Sequence, residues 1–234
     1  MVKSVATVHL IAMTDYVKRT LSYVNDRGEI ERVADDALDC FDRSLIILGE
    51  PGMGKTRLLR RLAEQPDHVF RSAASFVSHP DPAKLTTAGQ TIVIDGLDEL
   101  TAARKSDPVY RVLGQLIAAG CPRFILSCRA ADWRGAVARQ DISDEYGAPP
   151  VELSLEPFSE VEAIAYLTHS LGADRASEVV SYLDDKGIPD LFGNPLTLNL
   201  FGEVASQLTV PRAAGSRCRG TPGDRSDRGS APST

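Results

Sequence analysis

The chain has no apolar run approaching the ~18 residues that a membrane-spanning helix needs, and its start, MVKSVATVHLIAMTDY, carries no small-residue cleavage pattern. It is therefore read as a chain without a membrane span or signal peptide, its apolar stretch Val5 to Met13 forming a strand or helix. Its four cysteines, Cys40, Cys121, Cys128 and Cys218, include no C-x-x-C pair and have no histidine at metal-ligand spacing. This excludes a zinc framework and fits buried thiols in a reducing cytoplasm. His9, His68, His79 and His169 stand apart from every motif described below and are read as structural or surface residues. No repeat of 20 to 50 residues recurs, and no N-K-x-D guanine-reading pattern occurs. Nor is there a basic excess. The net charge of −6 and a pI near 5.3 leave the chain without an electrostatic footprint for nucleic acid.

What is present suits a soluble globular protein: 234 residues, 43% hydrophobic and 25% charged. That length allows one sizeable α/β domain with a small helical appendage. Residues 1–40 read as a mainly helical lead-in with an acidic end. From 41 to 156 short apolar strands alternate with helical patterns. The strands are Leu45 to Leu48, Val69 to Val77, Thr91 to Ile94, Phe124 to Leu126 and Val151 to Leu155. A helix is expected from Lys55 to about Glu64. Another is expected from Arg104 to Ala119, where Val109, Val112, Leu113, Leu116 and Ile117 recur at helical spacing. Such alternation predicts a parallel sheet wrapped by helices. From 157 to 209 the pattern is helical only, opening on a Ser159/Glu162 capping box. Residues 210–234 change abruptly. Their last 24 positions hold five Arg and two Asp but no aromatic, Leu, Ile or Met, a composition that predicts disorder. That tail is either a linker or a non-native end such as a frameshift product, with the second favoured because the helical pattern stops mid-course after Leu208.

Three segments carry chemistry. Gly49-Glu50-Pro51-Gly52-Met53-Gly54-Lys55-Thr56 fits G-x-x-x-x-G-K-[ST] and lies between an apolar strand and a helix. Glycines let the loop curl so that its amides face a phosphate, and the helix that follows, with Arg57 in its first turn, aims its positive end at the same anion. Lys55 supplies a point charge to the β- and γ-phosphates, and the Thr56 hydroxyl a Mg²⁺ ligand. Thr91-Ile92-Val93-Ile94-Asp95-Gly96-Leu97-Asp98-Glu99 is a strand delivering Asp95 to the carboxyl edge of the sheet as a second-sphere or direct Mg²⁺ partner. Asp98 or Glu99 is then placed to polarise an attacking water. Arg123-Phe124-Ile125-Leu126-Ser127-Cys128-Arg129 brings Ser127 and Arg129 to that edge, where a polar group can sense the γ-phosphate and an arginine can stabilise developing charge.

GEPGMGKT, IVIDGLDEL, ILSCR, Leu155-Glu156-Pro157-Phe158-Ser159 and Gly193-Asn194-Pro195-Leu196, in that order over about residues 40–205, resemble the NACHT-type ATPases. These belong to the STAND branch of the AAA+-related P-loop proteins. The resemblance implies an ATP·Mg²⁺ switch with slow hydrolysis, a helical lid closing over the nucleotide, Pro195 beside the adenine and Arg129 as sensor. It further implies exchange between ATP and ADP, self-association through the nucleotide domain, and a cytoplasmic role in signalling or phage defence. Sensor and effector domains of the kind that complete such switches have no counterpart in this sequence. The Ser-Cys-Arg at 127–129 departs from the more usual Thr-Ser-Arg of that family. An AAA+-type motor on nucleic acid or protein, or a non-hydrolysing scaffold, are the rival expectations.

Overall fold

The computed structural model describes residues 16–101, 107–133, 135–188 and 190–207. The apolar stretch at 5–13, residue Leu208 and the tail from 210 lie outside the described residues.

A single seven-stranded sheet runs in the order β2-β1-β7-β3-β6-β5-β4. Its strands are β1 (Thr20–Val24), β2 (Ile30–Ala34), β3 (Leu45–Leu48), β4 (His68–Ser72), β5 (Thr91–Asp95), β6 (Phe124–Cys128) and β7 (Val151–Leu155). The five strands from β7 to β4 are mutually parallel; β3, β5 and β6 are buried almost throughout, β7 at alternate residues, and β4, at the sheet edge, only at His68. Because successive strand side chains point to opposite faces, the short run Leu45-Ile46-Ile47 serves two cores at once. Ile46 joins Ile92, Ile94, Phe124 and Leu126 under α2 (Ala73–Val77), α3 (Leu97–Thr101), α4 (Pro108–Ala118) and α5 (Gly135–Tyr146). Leu45 and Ile47 join Val93, Ile125 and Leu153 under α1 (Lys55–Leu62). A parallel sheet covered on both faces needs continuous apolar strands of this kind.

A third cluster, built on Phe158, Ala163, Leu167, Val180 and Leu198, belongs to the helices after the sheet. These are α6 (Glu160–Leu171), α7 (Ala173–Asp185), α8 (Asp190–Gly193) and α9 (Pro195–Gln207). Ser159 caps α6 as the sequence indicates, its hydroxyl accepting from the Glu162 amide at 3.3 Å while the Glu162 carboxylate accepts from the Ser159 amide at 2.7 Å. Among the described residues no helix is long and apolar enough to cross a membrane.

Two sequence expectations about the fold need correction, and one helix carries no signal in the sequence. Residues 16–40 are not a helical lead-in: β1 and β2 form an antiparallel hairpin, and β1 pairs antiparallel with β7, making the sheet mixed. The hairpin turns at Asn25 to Gly28, where the Asn25 Oδ1 accepts from the Arg27 and Glu29 amides and Gly28 takes φ 78°. The strand signal is faint because only Leu21 is buried in β1 and no residue of β2 is. The strand expected from Val69 to Val77 stops at Ser72, whose hydroxyl accepts from the Ser75 amide and starts α2. Helix α5 has no counterpart in the sequence reading, since its apolar contact is a narrow stripe of Ala138, Ile142 and Tyr146.

Candidate functional site

β3 ends one residue before Gly49, whose amide donates to the Cys128 carbonyl of β6 at 3.3 Å. From there the chain curls through Gly54 in a turn closed by the Met53 amide on the Glu50 carbonyl, 3.3 Å. Gly52 and Gly54 have φ of 82° and 90°, a left-handed backbone that side chains resist. Gly54 caps α1 and has no side chain to satisfy the free amides of the first turn, which leaves them available to an anion. Lys55 is buried and its Nζ donates to the Gly49 and Glu50 carbonyls at 2.6 and 3.1 Å, so the ammonium sits inside the loop it serves. Burial holds that ammonium below the usual lysine range, and the nearby Asp98 carboxylate opposes the shift. Thr56 is exposed at the start of α1, and Arg57 lies one residue on, in the wall of the cleft described below.

The acidic strand is not next to the loop strand. β6 lies between them, so β5 and β6 pair with Ile94 opposite Leu126, and Asp95 falls opposite Ser127. The Ser127 hydroxyl donates to Asp95 Oδ1 at 2.6 Å, and both residues are buried. Ser127 therefore orients the carboxylate expected to serve magnesium, a role that strand spacing alone does not reveal. Just beyond, in α3, Asp98 accepts from Arg129 Nε at 2.9 Å. Glu99 belongs to α3, but its side chain lies outside the described residues. Cys128 is buried beneath this edge, which pushes its thiol up to about 12 and keeps it protonated and unreactive, whereas Cys40 is exposed and Cys121 half-buried, so the expectation of buried thiols holds for Cys128 alone among the described cysteines.

An α/β sheet of this strand order, with a strand–glycine loop–helix unit at its carboxyl edge, settles the architecture. The fold is of the P-loop nucleoside-triphosphatase type. No protein-family model and no curated protein matches the chain. Among solved structures, the replication initiator DnaA bound to AMPPCP and single-stranded DNA aligns with it at TM-score 0.47 and 16% identity, over 74% of this chain and 57% of that one. The chain thus spans less than two thirds of that protein's length.

The helical segment after the sheet reaches back to the loop through Gly193-Asn194-Pro195-Leu196. Asn194 Nδ2 donates to the Pro51 carbonyl at 3.0 Å, and the Leu196 amide donates to the Gly52 carbonyl at 3.3 Å. The same Asn194 caps α9, its Oδ1 accepting from the Leu196 amide at 2.9 Å. Beside this contact opens a cleft of about 280 Å³, bounded by Gly52, Gly54, Arg57, Tyr166, Pro195 and the approach to β1 at Tyr16, Val17 and Arg19. Its size lies just below the roughly 300–1,000 Å³ typical of small-molecule sites. Its composition, apolar and aromatic walls next to an amide-lined loop, suits a flat base joined to phosphates.

The residues present fit a magnesium nucleoside triphosphate. Gly52 and Gly54 hold the left-handed backbone that curls the loop around an anion, and a Cβ on Gly52 would stand 2.8 Å from Asn194 Oδ1, so the loop also needs glycine there to keep its contact with the 194–196 turn. Among the described residues no group of three or more His, Cys, Asp or Glu could hold a metal unaided. A magnesium ion beside Thr56 and Asp95 would complete its shell with phosphate oxygens and water, its usual manner of binding. Trp133 packs into the core beneath α2 to α5 rather than into the cleft.

The Ser127 contact yields an expected outcome. Ser127→Ala leaves Asp95 without its donor, and loss of such an outer partner typically costs roughly 10-fold in metal affinity. A magnesium titration at fixed nucleotide should show that loss, with little change in nucleotide affinity measured in EDTA. Equal magnesium dependence in variant and wild type would deny the Ser127 bond any part in metal binding.

Proposed function

We propose that this chain is an ATP·Mg²⁺-binding switch module of the NACHT/STAND kind, hydrolysing slowly. The observation that carries the proposal is the direct bonding of the 194–196 turn to the phosphate-binding loop at Pro51 and Gly52. A triphosphate that reorganises the loop amides must act on those two bonds. Loop occupancy and the position of the helices from α6 to α9 are then one equilibrium rather than two.

In this mechanism the amides of Gly52 to Lys55 and the Lys55 ammonium bind the β- and γ-phosphates. Thr56 and Asp95 orient the magnesium ion, which when bound neutralises developing charge on the transferred phosphoryl group. Arg57 flanks the phosphates and Pro195 packs against the base. Asp98 is already committed to Arg129, so Glu99 is assigned to orient the attacking water and Arg129 to meet the γ-phosphate when it leaves Asp98. Adenine is favoured over guanine because the cleft is mostly apolar and the chain has no guanine-reading carboxylate motif. Self-association through the nucleotide domain and a cytoplasmic signalling or defence role complete the proposal.

The test is Glu99→Gln, followed by quench-flow measurement of phosphate release under single turnover. The variant should bind ATP as tightly as wild type and release phosphate roughly 100-fold more slowly, in line with the loss of a positioned general base. Undiminished release would take Glu99 out of the chemistry. Rapid wild-type turnover stimulated by DNA would favour a motor, and no turnover at all a nucleotide-dependent scaffold.

A further inference from the structure

Arg19 precedes every recognised motif, yet it is only 4% exposed and touches both halves of the site. Its Nη1 donates to the Met53 carbonyl, in the phosphate-binding loop, at 2.7 Å. Its Nη2 donates to the Glu156 carbonyl, where the chain leaves β7 for the helical segment, at 2.6 Å. The guanidinium lies over the Phe158 ring at 4.2 Å from its centroid. The main chain of Arg19 is fixed in turn by buried Asp35, whose Oδ2 accepts the Arg19 amide at 3.1 Å and whose own amide donates to the Arg19 carbonyl at 2.9 Å. The Tyr16 hydroxyl bonds to the same carboxylate.

A buried guanidinium satisfied chiefly by two main-chain carbonyls is an expensive way to fill space. An apolar side chain of similar volume would pack there without desolvating a charge. What the arginine offers instead is a planar fork that can hold two acceptors at a fixed separation. The two acceptors here are on the elements whose relative position must change if nucleotide occupancy is to move the helices. A phosphate cradle turns its amides inward, and Arg19 takes one of the carbonyls left outside, Met53 O.

We propose that Arg19 is a positioning residue that couples the phosphate-binding loop to the hinge at Glu156 to Phe158, transmitting nucleotide occupancy to helices α6 to α9. This rests on the nucleotide-switch reading above. Two routes then join loop and helices: the direct bonds from Asn194 and Leu196, and the Arg19 bridge anchored on the β1 side of the sheet. The second route makes the segment before β1 part of the switch rather than a lead-in to it.

The test is hydrogen exchange of the full chain with and without saturating Mg·AMPPCP, in wild type, Arg19→Lys and Phe158→Leu. Lysine keeps the charge but its single ammonium cannot replace the planar fork. In wild type, nucleotide should change protection both in the loop peptide (49–58) and in the α8–α9 peptide (190–207). In Arg19→Lys the loop response should persist at saturation, with affinity reduced about 10-fold, while the α8–α9 response falls by more than half. Phe158→Leu, which keeps apolar volume but removes the ring under the guanidinium, should show the same separation more weakly. An undiminished α8–α9 response in both variants overturns the proposal. So does loss of both responses at saturation, which is the mark of a residue that only maintains the fold. Absence of any loop response in wild type would instead overturn nucleotide binding itself.

Discussion

Lys55→Ala should abolish measurable binding of Mg·ATP and leave the protein folded. The ammonium is buried and already turned into the loop, bonded to the carbonyls of Gly49 and Glu50. Moving it from those carbonyls to phosphate oxygens exchanges neutral acceptors for charged ones, which bond roughly twice as strongly. Its removal should cost about 3 kcal/mol of binding, or more than 100-fold in affinity. The structural cost is smaller, because both carbonyls lie at the loop surface of the site and water can reach them once the side chain is gone. Calorimetric titration paired with thermal melting separates the two effects. A variant that melts with wild type and still binds Mg·ATP at wild-type affinity would deny Lys55 its role.

The second large effect is expected at Gly52. Its φ of 82° already penalises any L side chain, and a Cβ there would approach Asn194 Oδ1 and the Leu196 Cβ to 2.8 Å. The 194–196 turn would have to back away, losing the Asn194 bond to Pro51 and the Leu196 bond to Gly52. Backbone strain of about 1–2 kcal/mol plus two hydrogen bonds of about 1 kcal/mol each gives roughly 3 kcal/mol of destabilisation for Gly52→Ala. Gly28 provides the internal control. It has a similar φ of 78° but nothing within 4 Å of its Cβ position, so Gly28→Ala should cost only the strain, about 1 kcal/mol. Urea unfolding of both variants checks the difference. Equal losses would mean that the close approach of turn and loop contributes nothing to stability.

Much of the site was legible in the sequence because its physics is local. Glycines at 49, 52 and 54 with Lys55 and Thr56 prescribe a loop and its contents without reference to the rest of the chain. Apolar runs four or five residues long that end in Gly49, Asp95 or Ser127 mark strands entering one edge. The rest depends on pairings distant in sequence. Nothing in the segment around Arg19 announces that its guanidinium will meet Met53, 34 positions later. The hairpin of β1 and β2 leaves almost no alternation in the sequence, because only Leu21 of its strand residues is buried. Helix α5 was illegible for a related reason, burying a stripe one residue wide. Ser127 stands at the edge its apolar run implies, but it meets a carboxylate there. Its bond to Asp95 follows from β6 lying between β3 and β5, a strand order that chain order does not disclose.

On the proposed function, the phosphate loop, its lysine and the Asp95–Ser127 pair act as one magnesium-nucleotide site, and isothermal titration of ATP into the full 234-residue chain with and without magnesium tests this most directly. One nucleotide should bind per chain, with affinity falling sharply in EDTA. A folded protein that shows no magnesium-dependent affinity for ATP or ADP would contradict the account.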